Sequence, residues 1–257
     1  MTSHIVKSYD AELGELDRMT AEMGGRAEAL LRDACLALEK RDPALAEKSV
    51  AADRAIDELE RRLQDLAIIM IAKRQPMAND LRHIMTVLKI AGDLERVGDL
   101  GKNIGKRAVA IANENCPRQF LAGLHHMSEL AARQLKDVLD AFASGDDAKA
   151  LDVWRADAGL DALYNSVFRE LLTYMMEDPR SIGLCTHLLF SAKNLERIGD
   201  HTTNIAENIH YLVTGRVLAD ARAKGDDTST LRIDKQQDRV SPGDVVDPTG
   251  SSIEPGS

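Results

Sequence analysis

An eleven-residue phrase is written twice in this chain, LERVGDLGKNI from Leu94 to Ile104 and LERIGDHTTNI from Leu195 to Ile205, 101 residues apart. A repeat at that spacing constrains the fold to two similar halves, each long enough to bury its own core. Each copy carries an acid, a second acid four positions on and an amide four positions after that, a stripe that lies along one helix face. The stripe is Glu95, Asp99 and Asn103 in the first copy and Glu196, Asp200 and Asn204 in the second. Neighbouring acids on a helix repel each other, so a chain that sets up this arrangement twice points to the recruitment of cations.

The rest of the sequence predicts an all-α protein. Aromatic residues make up only 4% of the 257, good helix formers dominate, and no segment reads as a strand. Apolar spacing and punctuation predict six helices. The first runs from near Val6 to Lys40, and Asp42 with Pro43 restarts the chain as cap and first helical residue. The second continues to about Arg74, and Pro76 interrupts it before a third from about Met77 to Asn113. Pro117 opens a fourth through about Ala143, Ser144-Gly145-Asp146 forms a turn, a fifth reaches about Met176, and Pro179 precedes a sixth that ends near Leu218. The expected architecture is two tandem, pseudo-symmetric, antiparallel three-helix bundles, residues 1–115 and 116–220. From 221 to 257 the composition shifts to Gly, Asp, Ser, Thr and Pro, which predicts a disordered tail.

The repeat extends to a second pair of acids in each half. Asp53 and Asp57 lie on the second helix, Asp157 and Asp161 on the fifth, 104 residues later. On a helical wheel all four pairs fall beside the apolar stripe, so the acids are expected to flank the core. Antiparallel neighbours place the two pairs of one half either on a shared groove or on opposite sides, and the sequence leaves both open. Oxygen-only ligands suit Mg²⁺, Mn²⁺ or iron, whereas Arg54, Arg96, Arg197 or Lys102 would neutralise the same acids as ordinary surface pairs. Gly98 and Gly199 cost helix stability, so each reads as a point of close helix approach. His201 replaces Leu100 of the first copy, which would make it a ligand of one half only.

Charge and cysteine content narrow the class. A net charge of −9 does not suit binding to nucleic acid. Cys35, Cys116 and Cys185 are widely spaced with no CxxC, which fits a reducing compartment and excludes a thiolate zinc site. The longest apolar run, Leu66 to Ala72, is too short to span a bilayer, so membrane association is expected only through partners.

The segments RQPMANDLR (Arg74 to Arg82), LKIAGDLERVGDLGKNIGKRA (Leu88 to Ala108) and NLERIGDHTTNIAENI (Asn194 to Ile209), with the acid pairs of helices two and five, resemble the PhoU family of accessory regulators of phosphate-specific transport. The resemblance implies a cytoplasmic, non-enzymatic homodimer that represses phosphate uptake and the phosphate-starvation response. It implies as partners the ATPase subunit of a phosphate ABC transporter and a phosphate-sensing histidine kinase. It also implies metal clusters, with iron, zinc, manganese or magnesium held by Asp53, Asp57, Glu95 and Asp99 in one half and Asp157, Asp161, Glu196 and Asp200 in the other. The second half opens with EDPRSIGLC (Glu177 to Cys185) where the first has RQPMANDLR, so the basic turn of the first half is expected to bind partners that the second does not. The competing reading is a carboxylate-bridged di-iron oxidase, which needs Glu-x-x-His on two facing helices with its ligands pointing inward; the sequence offers no such set. Phosphate loops and nucleophile elbows are also missing.

Overall fold

The computed structural model describes residues 2–114 and 116–218. The predicted tail from 221 onward lies outside the described residues. Among the described residues there are six α-helices and no strand: α1 Thr2–Lys40, α2 Pro43–Arg74, α3 Asn79–Ile111, α4 Arg118–Ser144, α5 Asp147–Glu177 and α6 Ile182–Thr214, with a single 3₁₀ turn at Pro179–Ser181.

The helix breaks are chemically explicit. The Asp42 carboxylate accepts from the backbone N–H groups of Ala44 and Leu45 at 3.0 and 3.1 Å, satisfying donors that the first turn leaves orphaned, with Pro43 at the first helical position. Asp146 caps α5 in the same way through Lys149 N–H at 3.0 Å. Gly145 supplies the left-handed residue (φ 63°) that ends α4.

Helices α1, α2 and α3 pack as one up-down-up bundle and α4, α5 and α6 as a second. The direction of each pairing is fixed by its contacts. Arg74 near the end of α2 meets Glu12 near the start of α1, and Trp154 of α5 meets Glu207 late in α6. Each bundle fills with the periodic apolar residues: Leu16, Met23, Leu31, Ile56, Leu63, Ile90, Leu94 and Ile104 are fully buried in the first, and Met127, Leu135, Leu160, Leu188, Ile198 and Ile209 in the second. A buried Leu, Ile or Met contributes about 1.5–3 kcal/mol, so these stripes supply the main driving force.

The bundles also pack on each other, through α3 against α6 and α1 against α4. The motif helices cross antiparallel: Arg82 lies over the Tyr211 ring at 5.5 Å, Asp93 meets His201, and Arg107 covers Phe190 at 4.2 Å. Contacts join early α3 to late α6 and late α3 to early α6. The two copies of the repeated phrase are therefore neighbours in space as well as duplicates in sequence.

Candidate functional site

In each half the repeated phrase lies in the middle of the bundle's last helix, facing the middle helix that carries the second acid pair. Gly98 and Gly199 are what bring the two helices together. A Cβ on Gly98 would meet Ile56 Cδ1 at 3.0 Å and Asp53 Oδ1 at 3.2 Å, and one on Gly199 would meet Asp157 Oδ1 at 2.5 Å and Leu160 Cδ2 at 2.6 Å. The glycines are close-approach points, as the sequence suggests, and the side chains that fill the space include an acid of the other helix.

That close approach corrects one expectation. The acids do not all flank the core. Asp53, Asp157, Asp161 and Glu196 are buried, each 5% exposed or less, while Asp57, Glu95, Asp99 and Asp200 are partly exposed. A helical wheel assumes a partner at ordinary distance; where glycine lets the partner sink in, residues beside the stripe are covered as well.

In the first half the acid pairs converge. Burial pushes the Glu95 carboxyl above the ordinary glutamate range, Arg96 opposes this, and the carboxylates of Asp99, Glu60 and Asp57 push it further up. Burial likewise raises Glu60, with Asp57 adding to it. Glu60 is thus a fifth acid of this group. The repeat conceals it, because the equivalent position of the second half is Tyr164. Burial raises Asp53 too, and Lys102 only partly offsets the effect.

Lys102 occupies the centre of this group. Its ammonium donates to Asp53 Oδ2 at 2.5 Å and also to Asp99 Oδ1. Arg96 lies over the outer side, 3.5 Å from Glu95 and 3.8 Å from Asp99. Asp53 Oδ1 remains buried without a hydrogen-bond partner.

The second half has the same acids with different surroundings. The position equivalent to Lys102 is Thr203. Here Lys193 lies 3.0 Å from Glu196 Oε2 and over the Tyr164 ring at 4.8 Å, and it stands where the first half has Gly92. From α4, Gln134 reaches the same place: it is 3% exposed, neither of its amide atoms has a hydrogen-bond partner, and its Oε1 would lie 3.6 Å from a Cβ on Gly199. Buried polar atoms without partners are uncommon. No sequence signal marks Gln134, since the equivalent residue of α1 is Leu30.

Among the described residues no three His, Cys, Asp or Glu side chains stand together in an arrangement that holds a metal ion. The donor chemistry suits a hard cation, and Asp53 Oδ1 is an atom that such an ion would satisfy. In the first half, however, an ammonium already lies between Asp53 and Asp99.

Other candidate residues have partners elsewhere. His201 Nδ1 lies 2.9 Å from Asp93 Oδ1 on α3, and Asn204 Nδ2 donates to the same oxygen at 3.3 Å, so both belong to the contact between the halves. One Glu-x-x-His does occur, Glu207 to His210, and it forms no di-iron site: Glu207 accepts from Trp154 Nε1 at 2.9 Å and His210 pairs with Asp147 at 2.7 Å. Arg74 and Arg82 of the basic turn are also engaged. Arg74 forks onto Glu12 at 2.7 and 3.0 Å, and Arg82 stacks on Tyr211.

A profile described as the PhoU domain matches residues 20–108 and 124–209, once in each half. The chain is 55% identical over 229 residues to a "Phosphate-specific transport system accessory protein PhoU homolog" of Rhizobium meliloti, spanning 89% of this chain and 97% of that one. It is 50% identical to a protein of the same description from Caulobacter vibrioides, with 88% and 98% covered. The fold is similar to the crystal structure of PhoU from Pseudomonas aeruginosa, with a TM-score of 0.79, 37% identity, and 81% of this chain and 100% of that chain covered. It is also similar to the phosphate transport system regulatory protein PhoU from Streptococcus pneumoniae, with a TM-score of 0.75, 29% identity, and coverage of 82% and 99%. Matched along both halves and in the repeated phrase itself, this chain belongs to the PhoU family.

Proposed function

We propose that this protein is a cytoplasmic accessory regulator of phosphate-specific transport that represses phosphate uptake and the phosphate-starvation response. The observation that carries this reading is the 55% identity, over nearly the whole length of both chains, to a protein named as a phosphate-specific transport accessory protein. In this reading the protein is not an enzyme. It contacts the ATPase subunit of the phosphate transporter and a phosphate-sensing histidine kinase, and associates as a homodimer. Among the described residues no helix is long and apolar enough to cross a membrane, so a membrane partner has to be reached by docking.

The turn between α2 and α3 supports docking in a different manner from the one the sequence suggests. Its arginines hold the fold together, whereas Met77 is 81% exposed and Leu81 and Met85 follow it on α3 at 38% and 44%. Gln75 and Ala78 are both held at φ 50°, a conformation that costs non-glycine residues energy and that recurs at functional turns. In this reading an apolar partner surface docks on these side chains, beside the charge-based contact expected from the sequence of the turn.

The same reading includes divalent or trivalent metal bound by Asp53, Asp57, Glu95 and Asp99 and by Asp157, Asp161, Glu196 and Asp200. What supports it is the all-oxygen donor set and the unsatisfied Asp53 Oδ1. Deletion of the gene tests the regulatory role: starvation genes should stay on in high phosphate, and a chain ending at Asp220 should restore repression. Full repression in the deletion strain would refute it. Elemental analysis of Asp99→Asn with Asp200→Asn tests the metal, and metal content equal to wild type would remove these residues as ligands.

A further inference from the structure

The chain repeats its acids but not the bases that stand among them. Lys102 grows from the same face of α3 as Asp99, three residues further on, and its ammonium spans from Asp99 across to Asp53 on α2. Its side chain is 22% exposed and that of Asp53 only 6%, so the contact between them is largely shielded from water.

A buried carboxylate needs a compensating charge, and here the chain supplies one covalently. An ammonium and a divalent ion cannot share the space between Asp53 and Asp99, because their mutual repulsion in a poorly solvated site is large. The two are alternative occupants. The second half has Thr203 at this position and approaches its acids with Lys193 from a different point on the helix, so the substitution belongs to one half.

Resting on the reading of the acid clusters as cation sites, we propose that Lys102 is the resident counter-cation of the first cluster: it compensates Asp53 and Asp99 when no metal is bound and is the charge that a divalent ion has to displace to enter the first half. A metal ion entering there has to break two charge-assisted hydrogen bonds. Each such bond is worth enough to lower affinity by roughly tenfold or more. Lys102 thus sets the metal affinity of its half, and the first bundle keeps its shape in chelator.

The test uses the full chain, stripped with chelator and titrated with Mn²⁺, in a background carrying Glu196→Gln and Asp200→Asn to silence the second cluster. Lys102→Met and Lys102→Thr should bind Mn²⁺ at least about tenfold more tightly than the parent, and their melting should become Mn²⁺-dependent. Adding Asp53→Asn should abolish the gain. A Lys102 variant that unfolds in chelator and refolds on Mn²⁺ supports the proposal. Equal Mn²⁺ affinity with and without Lys102 overturns it, as does failure of Mn²⁺ to bind or refold both variants. The broader metal reading fails separately. If the chain with its natural clusters binds no Mn²⁺ and Lys102→Met gains it, the counter-cation role stands and native metal binding does not. If the natural chain loads both clusters with equal affinity, the reverse holds.

Discussion

Gly199→Ala is the sharpest probe of how the acid clusters are built, because two opposing effects of known size meet at one atom. Within a helix, Gly→Ala is worth about 1 kcal/mol in favour of folding. Against this, the new methyl would arrive 2.5 Å from Asp157 Oδ1 and 2.6 Å from Leu160 Cδ2, two side chains with no surface to retreat to, since Asp157 is 1% exposed and Leu160 fully buried. Forcing a methyl into a packed core costs about 1–3 kcal/mol. Gly92 is the internal control, on the matching helix of the other half with nothing within 4 Å of its would-be Cβ. Gly92→Ala should therefore gain most of the propensity term, and the two variants should differ by about 1–3 kcal/mol, which is the packing cost isolated. Gly98→Ala, with contacts of 3.0 and 3.2 Å, should fall between them. Urea unfolding followed by helical circular dichroism in chelator measures the difference as a shift in midpoint at unchanged slope. Equal stabilisation by Gly92→Ala and Gly199→Ala would refute the close-approach argument, and with it the explanation for why these acids are buried.

Three further outcomes follow from the same contacts. A double-mutant cycle on Asp93 and His201 should give a coupling of about 0.5–3 kcal/mol, because this pair joins the halves at 2.9 Å; no coupling would mean that apolar packing alone holds α3 to α6. The Arg74 guanidinium holds the Glu12 carboxyl below its ordinary range. Stability from this pair is present above the unfolded value and is lost as the pH falls through the depressed one, so Arg74→Gln should flatten part of the acid-unfolding limb, and an unchanged limb would exclude the pair as a contributor. Burial pushes the Cys35 thiol up to about 12 and raises Cys116 and Cys185 as well. A disulfide reagent at mild alkaline pH should therefore label the buried Cys116 and Cys185 slowly in the native chain and all three thiols rapidly in denaturant; fast native labelling of those two would show that the helices open locally.

Helix order and boundaries were legible because the punctuation has mechanisms that act locally. Asp42-Pro43, Pro76, Gly145 and Pro179 each break a helix through their own backbone chemistry, and the ends fall within a few residues of expectation. The acid clusters were legible only in part. Repetition pointed to Asp53, Asp57, Glu95 and Asp99 with their counterparts, but it concealed Glu60 and Gln134, whose equivalents are Tyr164 and Leu30. A search for what two halves share discards what only one possesses. Burial of Asp53 and Asp157 was hidden for another reason: angular position on one helix carries no information on how deeply its neighbour sinks, and that depth is set here by a glycine on the opposite helix. The arginines of the α2–α3 turn illustrate the same limit, since their partners Glu12 and Tyr211 lie far away in sequence.

The antiparallel crossing of α3 and α6 has a consequence for what mutation can do to this protein. An assembly of two identical subunits around a twofold axis shows every change twice, and a residue that tunes one site tunes its mate. Here the two related bundles are carried on one polypeptide, joined across that crossing, and each codon changes one bundle of a chain without changing the other. A lysine introduced at one site leaves the other as it was. Carrying both bundles on one chain thus makes the two acid clusters independently adjustable by mutation while they remain mechanically joined.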